Sequence, residues 1–161
     1  MSNTNLGPPS YEIIIAQTPE ERQQCIDLRI EVFHHEQNLE DKATHFLLRL
    51  TPSLTPVGTI RAVNFPEKKY YKLTRLVVLK DYRKYHFGRA LVLKMHDWVR
   101  EDALQTGTAT GFVQIVSGSQ IPVKDFYAKF GYESQGPEYD DEGAPHQKMV
   151  YNMPLQPSSS T

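Results

Sequence analysis

The sequence Leu73-Thr-Arg-Leu-Val-Val-Leu79 runs directly into Lys80-Asp-Tyr-Arg-Lys-Tyr-His-Phe-Gly-Arg-Ala90, and this junction decides the fold. The first part is apolar on both faces, which is typical of a strand at the centre of a sheet. The apolar positions that follow have helical spacing and predict a helix from about Phe87 to Leu104. A basic turn therefore leads into a helix N-terminus, where unpaired N–H groups and the positive end of the helix dipole favour phosphate.

The bulk composition is that of a soluble globular protein. The chain has 161 residues with 39% hydrophobic and 23% charged residues, enough for one domain with a proper core. A formal net charge of −1 argues against nucleic-acid or membrane binding driven by overall charge, and no apolar run is long enough to cross a bilayer. Cys25, the only cysteine, is expected to be a small buried residue and excludes an intrachain disulfide. An intracellular location follows, with cytoplasm and nucleus left open.

Turn residues and apolar periodicity divide the chain into alternating strands and helices. Residues 1–10 are expected to form a disordered lead-in, 11–153 a single domain and 154–161 a flexible tail. Predicted strands cover 11–16, 43–50, 57–65, 70–79, 110–116, 132–135 and 147–153, with an acidic glycine-containing loop between the last two. Helices are predicted after Thr18, which begins a capping box with Glu21, from Phe87, and from Pro122 to a C-cap at Gly131. The fold class is α/β, with one mixed, mostly antiparallel twisted sheet and helices on both faces.

Four collinear motifs give this order a specific resemblance. Arg83-Lys-Tyr-His-Phe-Gly88 resembles the Arg/Gln-x-x-Gly-x-Gly/Ala turn of the GNAT acyl-CoA N-acyltransferases, with His86 in place of the first glycine. Phe126-Tyr-Ala-Lys-Phe-Gly-Tyr132 is similar to the Phe-Tyr-x-x-x-Gly-Phe signature of the same family. Arg29-Ile-Glu-Val-Phe-His-His-Glu-Gln37 and Gly136-Pro-Glu-Tyr-Asp-Asp-Glu-Gly-Ala-Pro-His-Gln-Lys-Met149 resemble segments of its ElaA-type bacterial branch. The resemblance implies a GNAT-like fold over about residues 11–153.

The resemblance also implies acetyl-CoA as cosubstrate. Backbone N–H groups of the turn would hold the pyrophosphate, and the preceding strand would pair with the pantetheine arm. The cofactor-binding residues that it implies are Leu76, Val77, Val78, Arg83, Lys84, Tyr85, His86, Phe87, Gly88, Arg89, Ala90, Gln120 and Phe126. A residue with a Cβ must adopt the backbone conformation of the turn at position 86, which histidine tolerates better than most.

Tyr127 stands at the position of the family's general acid, where a phenol can protonate a departing thiolate. A packed aromatic residue is the alternative interpretation. Glu36 is the candidate base, although a solvated carboxylate at a helix end is at least as common. The residues expected to bind the substrate are Phe33, Gln37, Glu138, Tyr139 and His146. His34 and His35 lack a second ligand cluster, so no metal site is expected.

These features predict an N-acetyltransferase that moves an acetyl group directly to a primary amine of a small molecule such as a polyamine or amino sugar. No nucleic acid or membrane is expected as a partner, and a homodimer stays open because many members of the family pair. Two alternatives also stay open: a CoA-binding module with little turnover, and a protein or peptide N-acetyltransferase.

Overall fold

The computed structural model of the protein describes residues 8–32, 43–107, 111–141 and 143–155, without the side chains of 30–32. The strands are β1 (Tyr11–Ile15), β2 (Ala43–Leu50), β3 (Pro56–Phe65), β4 (Tyr70–Val78), β5 (Phe112–Gln120), β6 (Glu133–Asp141) and β7 (Ala144–Pro154). The α-helices are α1 (Pro19–Val32), α2 (Phe87–Thr106) and α3 (Lys124–Ala128). Short 3₁₀ helices cover Pro66–Lys68, Lys80–Tyr85 and Ile121–Val123. The predicted order of elements is confirmed.

The strands form one mixed sheet in the order β1-β2-β3-β4-β5-β7-β6. Strands β4 and β5 are parallel, from Tyr70 opposite Gln114 to Leu73 opposite Ser117. The pairs β1–β2, β5–β7 and β6–β7 are antiparallel. A mixed α/β fold with a mostly antiparallel sheet is therefore confirmed.

By its internal contacts the chain divides into two compact units. The first contains the described residues up to 62 together with 75–97, and the second contains 63–74 together with those from 98 onward. The predicted domain bounds of 11–153 stay a prediction. No helix in the described part of the chain is long and apolar enough to cross a membrane.

The first unit is organised around the predicted capping box of α1. The Thr18 N–H donates to Glu21 Oε1 at 3.2 Å, and the Glu21 N–H donates to Thr18 Oγ1 at 3.1 Å, so two free donors of the helix end are satisfied. The helix then buries Cys25 and Leu28 against Leu47 of β2. Cys25 is fully buried, as expected from its apolar face, and its Sγ lies 3.9 Å from Phe46 O.

The second unit corrects one sequence-based expectation. The predicted loop between residues 136 and 146 is mostly strand, since Tyr139 pairs with His146, Asp140 with Pro145 and Asp141 with Ala144. The register shifts between Gln135 and Tyr139, so the pairing resumes after an irregularity. Gly, Pro and Asp are poor strand formers, and pairing along β7 overrides that local preference.

Candidate active site

The basic turn lies in the first unit, between the end of β4 and the start of α2. The 3₁₀ helix Lys80–Tyr85 ends at His86, whose φ of 62° and ψ of 30° are left-handed. The Ala90 N–H donates to His86 O at 3.2 Å, which begins the hydrogen bonding of α2. The strained conformation expected for a residue in the glycine position of the motif is therefore present at His86.

Positive charge surrounds this helix start. Arg83, Lys84 and Arg89 are exposed. The Arg83 side chain is held in place because its Nε donates to Val78 O, the last residue of β4, at 2.8 Å. A long helix with free N-terminal amides beside an anchored guanidinium fits a pyrophosphate group.

Aromatic side chains pack together on the buried side of the turn. The Phe87 side chain is 1% exposed, and its ring lies 4.8 Å from the ring of Tyr11 and 5.6 Å from that of Tyr85. Phe87 can therefore offer a ligand only its backbone. The same holds for Val77 and Val78, which are buried, whereas Leu76, Tyr85, Gly88 and Ala90 are half-buried.

Sequence reasoning missed Arg75, which has a φ of 53° inside β4. A left-handed residue within a strand breaks the regular alternation of the ladder, and such sites cluster near functional centres. No glycine or asparagine marks the position, so the sequence carried no signal for it.

Tyr127 lies in the second unit, on α3. Its side chain is buried, and the pKa of the phenol is raised to about 12 by burial, which outweighs the opposing effect of the Ser117 side chain. The Tyr127 ring meets the rings of Phe126 at 5.2 Å and Tyr132 at 5.6 Å, both edge-on. The phenol therefore keeps its proton at neutral pH and is held in one orientation. Ser117 was not among the predicted site residues, because no local sequence pattern shows that a side chain of β5 acts on one of α3.

Three predicted site residues form one row across the second unit. Gln120 of β5 pairs with His146 of β7, and His146 pairs with Tyr139 of β6. The Tyr139 and His146 rings are stacked, with centroids 5.9 Å apart and planes 29° apart. The Tyr139 hydroxyl reaches across to Gly118 of β5, where a Cβ would lie 2.4 Å from it. A glycine at position 118 is what lets this ring lie flat over β7.

The row of Gln120, His146 and Tyr139 lies on one face of β5, and Tyr127 lies on the other. Successive strand residues face opposite sides, so Gly118 and Gln120 face the row, whereas Ser117 faces Tyr127. Tyr139 is 43% exposed, and partial burial together with Asp141 raises the pKa of its phenol. Glu138 is also exposed, beside Tyr139.

Gln147 links α3 to both final strands. Lys124 Nζ of α3 donates to Gln147 Oε1 at 2.5 Å, and Gln147 Nε2 donates to Gly136 O at 2.7 Å. The bond accepted by Gly136 ties down the irregular stretch of β6 that precedes Tyr139. Phe33, Glu36 and Gln37 lie outside the described residues.

Comparisons with known proteins agree on one family. The sequence model described as "Acetyltransferase (GNAT) domain" matches residues 16–153. YjcF of Bacillus subtilis, an uncharacterized N-acetyltransferase, is 30% identical over 147 residues, which cover 85% of this chain and 96% of YjcF. The crystal structure of Escherichia coli ElaA shares the fold, with a TM-score of 0.70 and 17% identity over 89% of this chain and 99% of that chain. An aminoglycoside 6′-N-acetyltransferase complexed with coenzyme A has a TM-score of 0.66 and 17% identity, over 92% and 99% of the two chains.

Proposed function

This chain belongs to the GNAT family of acetyltransferases and is an N-acetyltransferase that uses acetyl-CoA, and we propose that its acceptor is a primary amine of a small molecule. Acetyl-CoA supplies a thioester whose acetyl group passes to an amine, leaving a thiolate. The protein must then hold the pyrophosphate, accept a proton from the amine and give one to the sulfur. The observation that carries the mechanism is the buried phenol of Tyr127, oriented by its neighbours and protonated at neutral pH, and the exposed stacked rings of Tyr139 and His146 support the acceptor class.

The turn from Arg83 to Ala90 is our candidate for binding the pyrophosphate. Its fit comes from the free amides at the start of α2 and from the Arg83 guanidinium, which the bond to Val78 O holds in place. Arg89 and Lys84 add positive charge at the surface. The strand residues Leu76, Val77 and Val78 would contact the pantetheine arm through their backbone.

Tyr127 is our candidate for the general acid. A protonated phenol can hydrogen-bond to sulfur as negative charge grows there and can then transfer its proton. Glu36 is our candidate for the base, since a carboxylate can take the amine proton directly or through water. Phe126 packs against Tyr127 and supports its ring rather than offering a polar group.

The stacked pair of Tyr139 and His146 lies on the face of β5 opposite to Tyr127, so it is our candidate for an outer acceptor platform that draws the amine in rather than holding the reacting nitrogen beside the acid. An exposed aromatic face attracts an ammonium group, and Asp141 on the same face of β6 adds negative charge. Glu138 and Asp140 are exposed on either side of Tyr139 in the chain. This combination favours a cationic acceptor such as a polyamine or an amino sugar. Phe33 and Gln37 would complete the substrate site. A cytoplasmic reaction fits a chain whose only cysteine is a buried thiol outside any disulfide.

Release of free CoA from acetyl-CoA tests the proposal directly. Wild type and Tyr127→Phe are compared across polyamines, amino sugars, amino acids and short peptides. We expect turnover with one class of small amine and a loss of about a hundredfold in kcat for Tyr127→Phe. Turnover confined to peptides would contradict the acceptor class, and CoA binding without turnover of any amine would indicate a binding module. Full activity of Tyr127→Phe would exclude the acid.

The acceptor platform has its own test at Gly118. In Gly118→Ala the new Cβ would meet the Tyr139 hydroxyl at 2.4 Å, so the ring must move away. We expect a KM for the amine raised several-fold, with the KM for acetyl-CoA unchanged. Tyr139→Phe removes the clashing oxygen and keeps the ring, so the double variant should recover the lower KM. An unchanged KM for the amine in Gly118→Ala would rule out the platform.

A further inference from the structure

Strand β6 pairs with β7 in two different registers. Gln135 lies opposite Lys148 and Tyr139 lies opposite His146, so three residues of β6 lie opposite one residue of β7 between these pairs. If the register at Gln135 continued, Pro137 would lie opposite His146. The two additional residues of β6 in this bulge are therefore what bring Tyr139 beside His146.

The residue of β7 opposite the bulge is Gln147, and its side-chain amide makes two hydrogen bonds there. Its Nε2 donates to Gly136 O at 2.7 Å, and its Oε1 accepts from Lys124 Nζ of α3 at 2.5 Å. Gly136 has a φ of +79°, which glycine adopts without strain, and Pro137 after it has no N–H for a ladder. The amide of Gln147 therefore joins the backbone of the bulge to α3.

This connection reaches from one face of the sheet to the other. Successive strand residues face opposite sides, so His146 carries the stacked ring on one face while Gln147 meets Lys124 on the other. The bond to Gly136 is made to the backbone, which both faces share. A side chain on the α3 side of the sheet thereby holds the strand that presents Tyr139 on the opposite side.

Building on the proposed acceptor platform, we propose that Gln147 is a positioning residue whose side-chain amide holds the bulge of β6 and so keeps Tyr139 beside His146. Gln147 acts through the backbone of β6 and not by touching the substrate. Without its Nε2–H, Gly136 O loses this bond and the bulge can shift or open. The Tyr139 ring then loses its fixed place in the stack.

The variant Gln147→Glu isolates the bond to Gly136. A carboxylate of the same length can still accept from Lys124 Nζ, but it has no N–H to donate to Gly136 O. The matched control is Gln114→Glu, because Gln114 Nε2 donates to Asn152 Oδ1 at 3.3 Å across a regular pair of β5 and β7. Both glutamines are half-buried, and both variants lose an amide donor and gain a negative charge. Gln147→Met, similar in length and uncharged, is a second variant that loses both bonds.

Nuclear Overhauser contacts measure the register of β6 without acetyl-CoA or an amine. Wild type and Gln114→Glu should show contacts between the rings of Tyr139 and His146. In Gln147→Glu and Gln147→Met we expect these contacts to be lost, while contacts between β5 and β7 persist and show that the sheet is folded. Ring contacts retained in both Gln147 variants, or lost equally in Gln114→Glu, would overturn the inference.

Steady-state kinetics test the consequence for the acceptor. We expect the KM for the amine to rise about two- to fivefold in both Gln147 variants, with kcat and the KM for acetyl-CoA within about twofold of wild type. Gln114→Glu should behave as wild type. Lost ring contacts together with an unchanged KM for the amine would overturn the acceptor platform and leave the role of Gln147 in the register standing, so the two failures are distinguishable.

Discussion

At the scale of single residues, His45 is a histidine that its surroundings keep neutral. It is 2% exposed, and an Arg29 Nη atom donates to its Nδ1 at 2.5 Å, which places the ring proton on Nε2. Burial, together with the positive charges of Arg29, Arg61 and Arg22, lowers the pKa of His45 to about 3. In the unfolded chain the same imidazole would titrate near its ordinary pKa of 6.5.

His45 should therefore make the protein sensitive to mild acid. Below pH 6.5 the imidazole of His45 is protonated in the unfolded chain but stays neutral in the folded protein. The contribution of His45 to the free energy of unfolding is therefore complete above pH 6.5 and is lost as the pH falls towards 3. Between pH 7 and pH 5 the free energy of unfolding should fall by about 2 kcal/mol more in wild type than in His45→Gln. Urea unfolding at both pH values measures this difference. Equal pH dependence in the two proteins would contradict the prediction.

At the scale of elements, the turn from α3 into β6 depends on Gly131. Its φ is +106°, and a Cβ there would lie 2.7 Å from Cε1 and 2.9 Å from Cδ1 of Tyr151. Tyr151 in turn packs on Tyr132 at 5.3 Å, and Tyr132 packs on Tyr127. Helix α3 ends at Ala128 with Lys129 as its C-cap rather than at the predicted Gly131, and Gly131, in the turn that follows, permits the aromatic packing around the candidate acid.

Gly131→Ala should destabilise the protein through both strain and overlap. We expect the free energy of unfolding to fall by about 3 kcal/mol, with activity reduced as the aromatic packing shifts. Gly107→Ala is the matched control, because Gly107 also has a positive φ (+67°) but has nothing within 4 Å of its Cβ position. That variant should lose only about 1 kcal/mol. Similar losses for both, measured by urea unfolding, would show that strain alone matters at Gly131.

At the scale of the whole molecule, a net charge of −1 leaves ligand recognition to local groups. Coenzyme A carries several phosphate charges, and the exposed cations of the turn are the part of the chain that we propose binds them. A ligand that binds only the folded state stabilises it in proportion to the logarithm of its concentration.

Coenzyme A at a hundred times its Kd should raise the Tm by about 5–10 °C. Arg83→Ala should reduce this rise, since the anchored guanidinium is lost, and higher salt should reduce it further. Lys94→Ala is the control, because it removes an exposed positive charge of α2 beyond the turn. Differential scanning fluorimetry measures all three proteins. Equal rises in Arg83→Ala and Lys94→Ala would contradict the assignment of the phosphate site.

Several elements could be read from the sequence with near-exact bounds because their signals are local. The capping box of Thr18 and Glu21 predicted the start of α1. The alternating residues of Ala43–Leu50 predicted a strand with the bounds that the structure has. The left-handed backbone at His86 followed from its place in the turn motif. The hairpin of β6 and β7 was missed over residues 136–146, because its residues are poor strand formers that only cross-strand pairing holds extended.

The sequence by itself determined the family, the mixed sheet and the place of the basic turn before α2, since periodicity, capping and turn residues act over a few neighbouring positions. Tertiary structure alone decided which distant side chains meet. The register of β5, β7 and β6 aligns Gln120, His146 and Tyr139. The packing of α3 against β7 groups Tyr127, Tyr132 and Tyr151. Such contacts depend on strand register and helix docking, and a shift of one residue would turn each side chain to the opposite face.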